Sequence, residues 1–211
     1  MQPIQDINQQ LEDQTIIRTH SPYNNLVWLV HKPNGEWRLT IDFRTLNANT
    51  DHLTAPVPSM PALTENIRCY GPQWMGFMDI KDMFFAIPVH EDHWSLLAFT
   101  WLGQQYTYRV LSWGWVHSPT LAHGVLAAVV QEVQLSHPKV HVWQYVNDVM
   151  VGGQARELTI CAFESLKEKV QAFGFTLSTK RSKKLGPSVN SWESNGNKVE
   201  PPYWLKSCRA W

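Results

Sequence analysis

Across 211 residues, 18 lysines and arginines balance 18 aspartates and glutamates, so no global charge excess draws this chain onto a polyanion, and any nucleic acid it binds must meet local patches. A hydrophobic content of 44% argues against a disordered chain and suits one large domain or two small ones sharing a chain. Cys69, Cys161 and Cys208 lack any paired spacing, the N-terminus is polar and no apolar run reaches membrane-spanning length. The expectation is therefore a protein without disulfides, thiolate zinc or membrane span, cytoplasmic or nuclear and not secreted.

Ile4 to Leu11 reads as a short polar helix and Thr15 to Arg18 as an extended segment running to Ser21-Pro22, because a residue before proline avoids the helical region. Leu26 to His31 and Trp37 to Phe43 are β-prone runs joined by Lys32-Pro33-Asn34-Gly35-Glu36, whose Asn-Gly pair tolerates positive φ and predicts a hairpin. Ala48 to Pro58 is connector, and Ser59 with Pro61 opens a helix to about Arg68. Trp74 to Met78 reads as a buried strand ending at Asp79, and Leu97 to Thr100 with Gln105 to Val110 as a second hairpin around Leu102-Gly103-Gln104.

Ser118-Pro119 predicts a cap and a first-turn proline for a helix carried by Leu121, Val125, Val129 and Val133, which stops before His137-Pro138. Val140 to Val146 and Val149 to Val151 flank Asn147-Asp148, a tight hairpin with an acid at its tip. Leu158 to Phe173 returns to helical spacing and ends at Gly174; a basic cluster at Lys180, Arg181, Lys183 and Lys184 follows, and periodicity is lost from Gly186.

Asp79 closes one strand and Asp148 sits on a hairpin later in the chain with a helix between, an arrangement that allows two central strands to bring both carboxylates together. Such a pair suits divalent cations, because phosphoryl transfer uses two hard ions about 3.5 to 4 Å apart held by carboxylate oxygens. By spacing alone, the alternative that Asp79 merely ends a strand and Asn147-Asp148 is turn chemistry is the stronger one.

Longer motifs change that balance. Ser21-Pro22-Tyr23-Asn24, Lys32-Pro33-Asn34-Gly35 and Trp37 through Asn47 resemble the fingers of retroviral reverse transcriptases. Met78-Asp79-Ile80-Lys81-Asp82-Met83-Phe84-Phe85 resembles the strand bearing their first catalytic aspartate, and Leu111 through Pro119 the turn before their palm helix. Tyr145-Val146-Asn147-Asp148 falls where the family carries paired aspartates. The matches keep the family's order from about Ile4 to Ser178, and the chain most resembles the Pol proteins of endogenous retroviruses.

The resemblance implies an α+β fold: a reverse-transcriptase palm, an antiparallel sheet backed by helices, with a fingers subdomain and no thumb. Fingers are expected at about 1–48 and 89–112, palm at about 49–88 and 113–185, and a divergent tail at 186–211. It implies RNA-directed DNA polymerase activity on an RNA or DNA primer-template with dNTPs and two Mg²⁺, and other Pol segments as partners. Asp79 and Asp148 would be metal ligands, with the Ile80 carbonyl completing a shell. Lys32 and Arg38 would grip the triphosphate, for which an ammonium and a bidentate guanidinium are suited; read without the family, they form an exposed face beside Glu36. Phe84 would pack under the sugar, leaving Phe85 to the core.

Three residues depart from the family pattern. Asn147 stands where the first paired aspartate is expected, which leaves two carboxylates in place of three. Trp113 stands where a glutamine contacts the incoming nucleotide, and Ser112 replaces a proline beside it. The implied polymerase site is degenerate and its activity impaired. A non-enzymatic nucleic-acid-binding remnant using Lys32, Arg38 and Arg44, or a functionless relic, are the alternatives. His90 and His93 have a ligand-like spacing without a third partner, and His137 and His141 are separated by Pro138, so neither pair predicts a zinc site.

Overall fold

A computed structural model describes residues 2–31, 35, 37–51, 53, 57–178 and 182–187. In chain order its elements are α1 (Gln2–Glu12), β1 (Ile16–Arg18), β2 (Leu26–His31), β3 (Trp37–Asp42), α2 (Arg44–Ala48), α3 (Met60–Tyr70), β4 (Trp74–Lys81), β5 (Ala98–Trp101) and β6 (Gln104–Tyr108). There follow α4 (Ser118–Ser136), β7 (Val140–Tyr145), β8 (Asp148–Gly153), α5 (Arg156–Ala172), β9 (Thr176–Leu177) and β10 (Lys183–Pro187). Two short 3-10 turns, Met83–Ala86 and Glu91–Leu97, precede β5. Two compact units result, Met1–Thr54 with Asp82–Thr120, and Ala55–Lys81 with Leu121–Trp211.

The first unit contains the antiparallel sheet β1-β6-β5 and the two-stranded β2–β3 hairpin. Its core is Ile7 of α1 with Ile16, Ile41, Phe43, Leu97, Phe99, Tyr106 and Tyr108. Leu102 and Gly103 turn β5 into β6 with φ of 48° and 78°, the paired positive dihedrals whose twist matches a tight hairpin. Gly35 has φ 85°, as an Asn-Gly turn requires, while Lys32, Pro33, Asn34 and Glu36 lie outside the described residues. The helix α2 was not expected: a single turn of five residues is too short for periodicity to reveal.

The second unit is built on the sheet β10-β4-β8-β7, with β9 also paired to β4. Ser59 caps α3 by accepting from the Ala62 amide, and Gly71 ends that helix at φ 59°, the left-handed stop that glycine allows. Helix α5 lies so close to β4 that a Cβ on Gly76 would stand 2.5 Å from the Phe163 ring. Its buried stripe is Thr159, Ala162, Phe163, Leu166 and Val170.

Three expectations need correction. Strand β4 does not end at Asp79 but runs on to Lys81, because Ile80 and Lys81 pair with Leu177 and Thr176. The buried stripe of α4 is Ala122, Leu126, Val129 and Val133, while Leu121 is exposed; a strict four-residue spacing drifts off a 3.6-residue helix, and the true stripe follows the helix. Ser118 belongs to α4, and its hydroxyl donates to the Ser112 carbonyl at 2.7 Å.

Regular structure also extends past the point where periodicity fades. Lys183, Gly186 and Pro187 pair with Phe77, Met75 and Trp74, so β10 is an edge strand, the place where a proline is tolerated in a sheet. Residues 188–211, with Lys180 and Arg181, lie outside the described residues.

Candidate active site

The centre of the second unit is the β7–β8 hairpin and its neighbour β4. Val146 and Asn147 make the turn, with Val146 at φ 52°, a left-handed conformation that is strained for a β-branched residue. Gln144 braces the turn from inside, its amide nitrogen donating to the Val146 carbonyl at 3.1 Å and the His123 carbonyl at 3.0 Å. Asp148 is the first residue of β8 and stands directly opposite Asp79 in the β4–β8 register. The two carboxylates are thus carried by adjacent antiparallel strands of one sheet.

Asp79 is buried, at 4% exposure, and its strand is fixed on both sides. The Asp79 amide donates to Ser182 Oγ at 3.3 Å, and its carbonyl accepts from the Ser178 amide at 2.8 Å. The Ile80 amide donates to the Asn147 carbonyl at 3.0 Å. The Asn147 side-chain nitrogen in turn donates to Asp79 Oδ1 at 3.0 Å and to the Ile80 carbonyl at 3.4 Å. Reversing that amide would set its oxygen against a carboxylate and a carbonyl with no proton among them, so the hydrogen bonds decide its orientation.

This arrangement is a poor fit to a pair of divalent cations. Two of the oxygens that would ligate an ion, from Asp79 and Ile80, are addressed by the N–H groups of Asn147. Among the described residues no group of three or more His, Cys, Asp or Glu side chains stands ready to hold a metal ion. An N–H donor and a hard cation compete for the same lone pairs.

Phe84, Trp113 and Arg38, the residues that the resemblance linked to a nucleotide, belong to the first unit. The loop after Leu111 turns at Gly114, whose φ is 92° and whose added Cβ would press the Ile41 carbonyl at 3.3 Å. Asn47 of α2 clasps that loop at two points, donating to the Gly114 carbonyl and accepting from the Val116 amide, each at 2.9 Å. Trp113 is held on the outside at 45% exposure, its ring edge-on to Phe84 with centroids 4.6 Å apart. Phe84 is buried at 6%, whereas Phe85 is only partly buried and stacks on Tyr108 at 6.0 Å. The division expected between these two phenylalanines is not found: both contribute to packing, and Phe84 is the more enclosed.

Lys32 lies outside the described residues, and of Arg38 only the backbone is described, opposite Val30 in the β2–β3 ladder. Arg44 is engaged by Asp42, its Nε lying 2.9 and 3.0 Å and its Nη2 2.6 Å from the carboxylate oxygens. That guanidinium, through its hydrogen bonds, holds the Asp42 carboxyl down at about 2 and is itself raised. Burial alone lowers His123 and His141.

Asn47 and Ser182 escaped sequence reading. Asn47 lies in the Trp37–Asn47 motif, but its partners are far along the chain; Ser182 lies within a basic run that gave no sign of a strand neighbour.

The family model described as reverse transcriptase (RNA-dependent DNA polymerase) matches residues 30–194. The Gag-Pro-Pol polyprotein of Mason-Pfizer monkey virus is 27% identical over 201 residues, covering 92% of this chain and 11% of that protein. That of human T-cell leukemia virus 2 is 36% identical over 143 residues, covering 64% of this chain and 10% of that protein. The chain therefore spans about a tenth of the length of the curated relatives it matches. A crystal structure of prototype foamy virus protease-reverse transcriptase superposes with TM-score 0.72 at 26% identity, covering 84% of this chain and 23% of that one. A mutant of the same protein gives TM-score 0.75 at 24% identity, with the same coverage.

Proposed function

Because this chain belongs to the retroviral-type reverse transcriptase family, we propose that it is the fingers-and-palm portion of a Pol-type RNA-directed DNA polymerase of an endogenous retroelement, impaired in nucleotidyl transfer. The observation that carries this reading is the Asn147 amide nitrogen lying 3.0 Å from Asp79 Oδ1. In an intact site of this type, divalent cations would stabilise the attacking and leaving oxygens of the phosphoryl transfer. Here Asp79 and Asp148 supply two carboxylates, and the third ligand's place holds an amide whose nitrogen donates to Asp79.

The nucleotide side of the reading rests on Trp113 and Phe84. A bulky ring edge-on to Phe84 takes space that a smaller amide side chain would leave for a deoxyribonucleotide, and an indole offers one donor and no acceptor. Arg38, with Lys32, would meet the triphosphate, and the primer-template, dNTP and other Pol segments are the partners that the family implies.

Primer extension by the full chain, with Mg²⁺ and Mn²⁺ each supplied, tests the reading. Activity should be at least about 10²-fold below that of the Asn147→Asp, Trp113→Gln double variant, the size of losing one strong transition-state contact. Either single reversion should help modestly, and the double variant should exceed the product of the singles. Robust extension by the unmodified chain, abolished by Asp79→Ala, would overturn it.

A second reading is favoured by Trp28, 55% exposed on β2, since an exposed aromatic ring is a platform for an unstacked base. On that reading the chain binds single-stranded nucleic acid without extending it. Salt-sensitive binding that Trp28→Ala weakens, in samples with no extension, would separate the two.

A further inference from the structure

The hairpin tip carries its own means of closure. Asn147 meets β4 at three points: its carbonyl accepts from the Ile80 amide at 3.0 Å, and its side-chain nitrogen donates to Asp79 Oδ1 at 3.0 Å and to the Ile80 carbonyl at 3.4 Å. We propose that Asn147 is a built-in substitute for a divalent cation, tying the Asp79 carboxylate to the Ile80 carbonyl so that the sheet of the second unit closes without metal. The inference rests on the family reading only in taking these oxygens as the ones a cation would otherwise bind.

An aspartate at position 147 would put an oxygen where the amide nitrogen stands, 3.0 Å from Asp79 Oδ1. Oxygens crowded in that way repel one another unless a cation or proton lies among them. The amide removes the conflict, because an N–H donor brings partial positive charge to a carboxylate and forms a charge-assisted hydrogen bond. The turn also needs holding: Val146 is at φ 52°, and Gln144 braces it from the side of β7 and α4. Asn147 supplies the tie on the side of β4. A covalently attached donor thus stands where a cation would otherwise lie beside Asp79, and divalent metal adds nothing to the stability of this chain.

Thermal unfolding of the full chain and of Asn147→Asp and Asn147→Ala, each in EDTA, Mg²⁺ and Mn²⁺, tests this. The unmodified chain should melt within about 1 °C of the same temperature in all three. Asn147→Asp should melt about 5 °C lower in EDTA and regain most of that with either cation, while Asn147→Ala should fall by a similar amount and respond to neither. If Asn147→Asp does not fold in EDTA, Asn147→Ala carries the comparison. Side-chain amide NMR gives a second measurement: the Asn147 resonance should stay sharp when Mn²⁺ is added.

A melting temperature of the unmodified chain that rises with cation as steeply as that of Asn147→Asp would overturn the proposal, as would paramagnetic broadening of the Asn147 amide. Extension by the unmodified chain together with cation-insensitive melting would defeat the functional reading and leave the clasp standing. Silent extension with cation-raised melting would do the reverse.

Discussion

The β2–β3 and β7–β8 hairpins have ladders of the same length and opposite fates. Each pairs six residues of one strand with six of the next, in unbroken register. In the first, Leu26, Trp28, Leu29 and Val30 are all exposed. In the second, Trp143, Val149, Met150 and Val151 are at 4% exposure or less. The strands are comparably apolar, so the difference is tertiary: β8 has β4 on its other edge, whereas β2–β3 is a sheet of two strands. An apolar run specifies a strand; whether that strand is buried depends on what else packs there. An apolar hairpin left exposed is a surface that recognition can use.

The largest expected effect sharpens this contrast by truncation. Met150→Ala should cost about 3 kcal/mol, the range for deleting a buried methionine side chain, because Met150 is 3% exposed beside Trp143, Met75 and Leu63. Leu29→Ala, at 42% exposure, should stay within about 0.5 kcal/mol. Urea unfolding of both variants measures the pair; similar losses would mean that the β2–β3 hairpin is covered in solution.

A smaller effect should come from filling space. Gly152→Ala places a methyl 2.7 Å from the Trp143 ring and 2.9 Å from Pro72, so it should cost about 1 to 3 kcal/mol through overpacking. The same measurement applies, and a neutral result would show that the packing around β8 yields more than its contacts suggest.

The smallest effect is a pH slope belonging to the second unit. Burial lowers the folded-state pKa of His123 and His141, so the unfolded imidazoles take up protons first. Stability should be level above about pH 6.5 and decline below it as the unfolded state gains protons, until the folded histidines also protonate. Urea midpoints between about pH 5 and 8 should show the decline, and a His123→Gln, His141→Gln double variant should lose it.

Much of the candidate site was legible as residue identity alone. Asp79 and Asp148 were readable from motif order, and so was the anomaly of Asn147. The direction of the Asn147 amide was not, because its partners lie on β4 and are reached only by strand pairing. Trp113 was legible as an oversized side chain, yet its resting place on Phe84 depends on the turn at Gly114 and on Asn47 clasping the loop. The first two positions of the α4 stripe were each misread by one residue, because a four-residue spacing imitates helical periodicity over a few turns.

By itself, the sequence determined the local elements and which side chains stand at the hairpin tip. Asn-Gly, Ser-x-Pro and helix-ending glycine signals act over a few residues, and a side chain's identity needs no neighbour to be known. Tertiary structure alone decided which apolar strand is buried, how far β4 extends, and that residues 183–187 join its sheet. It also decided that Asn147 donates to Asp79. Each of those outcomes depends on groups far apart in the chain, whose meeting is a property of the packed sheet and leaves no periodic trace in either segment.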